Sequence, residues 1–122
     1  MNYLETTQHI KLQIVNLLTL SETAKYYALI HHNKFEETLN AFNQNVETEH
    51  QWAEDHKTIL GTTPEFASYY EVILQLHNHP LLTVTQGDIL FYINTKQILL
   101  YEQLLKIDHQ YQVTPHNISN KH

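Results

Sequence analysis

Phe35, Leu39, Phe42 and Val46 follow one another at steps of four, three and four, in a stretch without glycine or proline before Gly61. Residues three and four apart share one face of a helix, so this spacing predicts a helix with a narrow apolar seam. Extending the rhythm brings Glu49, Ala53, His56 and Leu60 onto the seam, with Trp52 beside them. The stripe therefore weakens in its second half, which suits a helix facing a partner at one end and solvent or a polar contact at the other. The helix is expected over about Lys34 to Leu60, with Gly61 ending it as a C′ residue and Pro64 opening the next at its first position.

The same logic organises the rest of the chain. Ile10, Ile14, Leu17, Leu18, Ala24, Tyr27 and Ala28 predict a first helix over about Tyr3 to Ile30, either continuous or bent, with Ser21–Glu22 able to restart it. His32–Asn33 is the expected turn, since Asn tolerates the conformations that close one. Phe66, Tyr69, Tyr70 and Ile73 predict a short third helix over about Pro64 to His77, stopped by Asn78–His79–Pro80. Leu81–Ile93 admits two readings. Thr83–Val84–Thr85 and Ile89–Ile93 have strand-forming composition around a Gln86–Gly87–Asp88 turn. Ile89, Ile93, Lys96, Leu100, Leu104 and Ile107 nevertheless keep helical spacing throughout, and no further strand is evident for a hairpin to pair with. The preferred expectation is a last helix over about Thr85 to His109. The fold class expected is all-α: an antiparallel helical hairpin or bundle of about four helices in one domain, 1–111, with a flexible tail, 112–122.

Composition narrows the function classes. At 122 residues the chain is long enough for one core. Its net charge of −6 is spread along the sequence, leaving no basic footprint for nucleic acid. With no cysteine, disulfides, thiolate nucleophiles and Cys-ligated clusters are excluded. The first residues lack a basic stretch ahead of an apolar run, and no apolar stretch approaches a membrane span, so a cytoplasmic setting without membrane contact is the expectation.

Candidate chemistry is sparse. Ten histidines raise a metal hypothesis, and Glu47-x-x-His50 has the spacing used in di-iron helical bundles. A second Glu-x-x-His is missing, while His50 and His56 fall on different helix faces. His31–His32 and His77-x-His79 sit near expected helix ends, where exposed histidines are common. Ser21, Ser68 and Ser119 have no nucleophile-elbow context, and no glycine-rich loop offers to cradle phosphate. No catalytic residue, metal ligand or cofactor is assigned, and no small-molecule substrate is evident. A metal-binding helical-bundle enzyme built on Glu47 and His50 stays as an alternative.

Tyr26–Tyr27, Tyr69–Tyr70, Tyr92 and Tyr101 place amphipathic rings next to the seams, where such rings fill helix–helix cores and protein interfaces. Narrow seams leave apolar surface over, which favours a homodimer or a heteromeric protein partner. The residues expected to build the core and part of an oligomer interface are Phe35, Leu39, Phe42, Val46, Trp52, Ile89, Ile93, Leu100 and Leu104.

Two family resemblances carry biology. Leu20–Ser21–Glu22–Thr23, followed by Ala24–Lys25–Tyr26–Tyr27, resembles the YlbF/YmcA family of small helical regulators of low-GC Gram-positive bacteria. His79–Pro80–Leu81–Leu82 matches the step before that family's last helix. Gly61-x-x-Pro64–Glu65–Phe66 is similar to a turn in some members, though one residue shorter. The resemblance spans about residues 4 to 107. It implies an intertwined helical hairpin and a non-catalytic role in competence, sporulation, biofilm development and mRNA maturation through ribonuclease Y. The cysteines that some members contribute to iron–sulfur clusters are absent here, so that property is not carried over. Phe35–Glu36–Glu37–Thr38–Leu39, Phe42, Val46, Trp52–Ala53–Glu54 and Pro64–Glu65–Phe66 are similar to YppE-like four-helix bundles of the same bacteria. A small acidic helical chain also suits an immunity or phage-encoded inhibitor that binds a basic target.

Overall fold

The computed structural model describes residues 1–82 and 88–119, with 109–119 as backbone alone. Among the described residues the chain is all-helical, in the order α1 (Tyr3–Leu29), α2 (Phe35–Asp55), α3 (Lys57–Leu60), α4 (Pro64–Asn78) and α5 (Ile89–Ser119). The four long helices form a bundle in which α1 packs on α2 and α5, and α4 packs on α2 and α5. No helix among the described residues is long and apolar enough to cross a membrane.

Local chemistry sets the helix starts. Asn2 caps α1: its side chain accepts from Glu5 N–H at 2.8 Å, while the Glu5 carboxylate accepts from Asn2 N–H at 3.0 Å. This reciprocal pair satisfies two otherwise orphaned donors, and the sequence reading missed it. α4 begins as expected, with Thr63 as cap and Pro64 in the first turn.

α1 is continuous through Ser21–Glu22, one of the two forms expected, with Ser21 donating to the Leu18 carbonyl at 2.8 Å inside the helix. The turn expected at His32–Asn33 falls in the connection over residues 30–34, whose left-handed residue is His31 at φ 55°. Several boundaries differ from expectation. The helix expected over Lys34 to Leu60 is interrupted at His56, whose ring Nδ1 lies 2.8 Å from the Trp52 carbonyl; the single turn α3 follows. Gly61 closes α3 at φ −85°, so it is not the left-handed C′ residue expected there. Ile89–Ile93 is helical, which removes the second strand of the alternative hairpin. Thr83–Val84–Thr85 and Gln86–Gly87 lie outside the described residues. α5 extends past His109; of the tail expected at 112–122, the backbone to Ser119 is helical and 120–122 lie outside the described residues.

The core is assembled from the seams. Phe35, Leu39, Phe42 and Val46 of α2 are buried with Ile10, Ile14 and Leu17 of α1, Phe66, Tyr69 and Ile73 of α4, and Ile89, Ile93 and Leu100 of α5. Trp52 and Leu104 are half-buried and packed against this cluster. Of the nine residues expected in the core or at an interface, seven are thus buried within the chain and two are half-buried.

Polar side chains fix the register at each contact. Asn16 donates to Asn45 between α1 and α2 at 2.9 Å. Gln97 of α5 donates to Ser21 and Glu22 of α1 at 3.0 and 2.6 Å. Gln103 accepts from Ser68 of α4 at 2.8 Å and donates to the Glu65 carbonyl at 3.0 Å. Asn43 clamps the chain after α4 by bonding both the N–H and the C=O of Leu81. Each of these groups would cost about 1–3 kcal/mol if left buried without a partner, so sliding a helix by one turn is penalised.

Candidate functional site

Three surfaces or clusters carry chemistry. Around the α2–α4 contact, Glu47 and His50 stand one turn apart on α2, and the last turn of α4 brings His77 to them. His77 Nδ1 lies 2.9 Å from Glu47 Oε2. The His50 and His77 rings stack with centroids 3.9 Å apart and planes 4° from parallel. One potential ligand atom from each of Glu47, His50 and His77 lies within 4.8 Å of the other two. His77 Nδ1 is shielded from solvent yet makes no hydrogen bond, because the Glu47 oxygen is near it but out of line.

A second carboxylate backs this cluster. Glu54 Oε1 is 3.4 Å from His50 Nε2 and accepts from the Tyr70 hydroxyl at 2.6 Å, with Lys57 Nζ 3.4 Å away. The Tyr70 hydrogen bond, helped by Lys57, holds the Glu54 carboxyl below the usual carboxylate range. The same bond pushes the Tyr70 phenol up, because ionising it would put two negative groups together.

The second cluster is internal. Glu49, only 3% exposed, accepts from the Tyr69 hydroxyl at 2.5 Å, and both its oxygens lie within 3.0 Å of His9 Nε2. A carboxylate offers only acceptors, so Nε2 is the protonated nitrogen of that imidazole. His9 in turn stacks on Trp52 at 3.7 Å, and Trp52 on His56 at 4.5 Å. Here is the polar contact that the weakening second half of the α2 seam anticipates. Burial, then the Glu49 charge, pushes the Tyr69 phenol well above its ordinary value. Every member has a structural partner, and the arrangement ties α1, α2 and α4 together.

The third surface is the outer face of α5. Phe91, Ile98 and Leu105 are seven residues apart and 66%, 57% and 68% exposed, with Tyr101 alongside. α1 adds exposed Leu12 and Val15, and the Lys11–Asp108 ion pair at 2.7 Å brings that stretch level with Leu105. Phe91, Ile98 and Leu105 are a further row, outside the set expected in the core or at an interface. Nothing but their own heptad spacing marks Phe91, Ile98 and Leu105 in the sequence.

An open cleft of about 300 Å³ lies between the end of α4 and the start of α5, lined by His79, Pro80, Leu81, Tyr92 and Lys96. Lys96 spans it by donating to the His79 carbonyl, and burial lowers its pKa. Ser21 and Glu22 serve the Gln97 contact, while Ser68 serves Gln103. His31 and His32 sit in the first turn, with His32 stacked on Tyr27 at 4.6 Å. None of the protein-family models, curated proteins or solved structures compared with the chain matches it.

Proposed function

We propose that this chain is a non-enzymatic regulatory or adaptor protein of the cytoplasm, acting through helix-mediated contacts and assembling as a homodimer along α5. The observation that carries the reading is the exposed row Phe91, Ile98 and Leu105. Its pattern is its own complement. With two copies related by a two-fold axis at Ile98, Phe91 of each meets Leu105 of the other, and Glu102 falls opposite the neutral Asn94 and Thr95.

The four long helices are read as alternating in direction. Support comes from paired contacts whose numbers run oppositely: Lys11–Asp108 and Ser21–Gln97 for α1 and α5, and Glu47–His77 and Glu54–Tyr70 for α2 and α4. A YlbF/YmcA-type regulatory role is the biological form of this proposal, resting on the resemblance at Leu20–Tyr27 and His79–Leu82; a YppE-like bundle shares its physical basis.

Complete burial of a Phe, Ile or Leu side chain is worth about 1.5–3 kcal/mol. About three such side chains per copy, each roughly one-third covered already, give about 6–12 kcal/mol against an association cost of about 4–15 kcal/mol. The balance is small, so the dimer is expected to depend on concentration. Sedimentation equilibrium of the wild type should show a monomer–dimer equilibrium, and Ile98→Asp should weaken it by roughly tenfold or more with helical content retained. A wild-type monomer at the highest accessible concentration, or an unchanged equilibrium in Ile98→Asp, would sink the proposal.

A further inference from the structure

We propose that Glu47, His50 and His77 form a Zn2+ site that fastens α2 to α4. Two helices supply the three donors: Glu47 is largely exposed and can adjust, while the His50 and His77 side chains are 19% and 29% exposed. Zinc–ligand bonds of about 2.0–2.2 Å place neighbouring donors in a tetrahedral site roughly 3.4 Å apart. The three ligand atoms lie within 4.8 Å of one another, so closure needs movements on the order of 1 Å together with a tilt of the stacked His50 and His77 rings, whose lone pairs otherwise lie in parallel planes.

Two features go beyond mere proximity. His77 Nδ1 is shielded from water and has the Glu47 carboxylate 2.9 Å away without a hydrogen bond between them, so a coordinate bond can take up this nitrogen without breaking one. Glu54 lies 3.4 Å from His50 Nε2 and is itself held by Tyr70 and Lys57, close enough to become the outer carboxylate that orients a ligating imidazole. Glu47 and Glu54 together also balance the charge of a divalent ion.

The donor set selects the class of metal. Two imidazoles and one carboxylate suit first-row transition metals, zinc, iron, nickel and copper among them, whereas magnesium and calcium demand oxygen donors throughout. Three protein ligands leave a fourth position for water, while the ion itself links two helices. The structural consequence is stabilisation that rises with free metal, since only the folded bundle brings His77 to Glu47 and His50.

The full chain, stripped of metal, is titrated with Co2+ followed by visible absorption, and with Zn2+ by calorimetry. One equivalent should bind and raise Tm. Glu47→Gln, His50→Gln and His77→Gln should each weaken binding by about tenfold or more and reduce the Tm shift. His79→Gln, an exposed histidine two residues from His77, should change neither. Circular dichroism verifies folding of each variant; if His77→Gln unfolds, Glu47→Gln at its exposed position decides. Absence of saturable binding, affinity unchanged in Glu47→Gln and His50→Gln, or an equal loss in His79→Gln would overturn the site.

Discussion

Glu49 places an acceptor-only group in the middle of an otherwise apolar seam, and Tyr69 and His9 are what make that position tenable. Removing the Tyr69 hydroxyl leaves the carboxylate one donor short at almost unchanged volume. Tyr69→Phe should therefore cost about 1–3 kcal/mol in chemical denaturation. It should also alter the alkaline limb of stability. The folded state holds the Tyr69 phenol above its ordinary value of 10.0, so it retains a proton that the unfolded chain releases. That contribution is fully present below the ordinary value and is lost as pH rises toward the folded one. The wild type should lose stability above about pH 10 more steeply than Tyr69→Phe, as read from urea midpoints across that range. Parallel alkaline limbs would refute this account. A Glu at a core position was legible in the sequence as a break in the stripe. Its partners were not, because His9 and Tyr69 lie on other helices and no local pattern links them to residue 49.

Among the elements, the helix ends show what spacing can and cannot decide. Thr63–Pro64 is a start signal whose mechanism is local, and it operates where expected. Gly61 has an equally local stop signal, yet its backbone is right-handed, and a Cβ built there meets only the Lys57 and Thr58 carbonyls at an ordinary 3.6 Å. Gly61→Ala should accordingly stabilise the protein by about 0.4–1 kcal/mol, through the unfolded chain's lost freedom; a fall in Tm would show that the glycine is needed after all. α5 carries apolar residues on two faces. Ile89, Ile93 and Leu100 point inward, while Phe91, Ile98 and Leu105 point outward. Periodicity finds both rows and cannot rank them, since the choice depends on how α5 is turned against α1 and α4. The Glu47–His50 pair was visible for the same reason that His77 was not: one helix turn is a sequence property, and a neighbouring helix is a tertiary one.

At the level of the whole molecule, the contrast between the two α5 rows and the α2 seam becomes a stability map. Phe42 is buried among three other helices, and Phe42→Ala should cost about 3–5 kcal/mol. Phe91→Ala, on the open face, should change monomer stability by less than about 0.5 kcal/mol while weakening self-association. Denaturation at low protein concentration separates the two effects. Similar losses in both variants would mean that the outer row belongs to the core.

Because α1 is held on one flank by α2 and on the other by Gln97 and Asp108 of α5, the opening helix is also among the last to be enclosed. During synthesis its second flank stays bare until the final helix leaves the ribosome tunnel. A nascent chain paused after α4 therefore offers chaperones the α1 flank that α5 covers in the folded bundle.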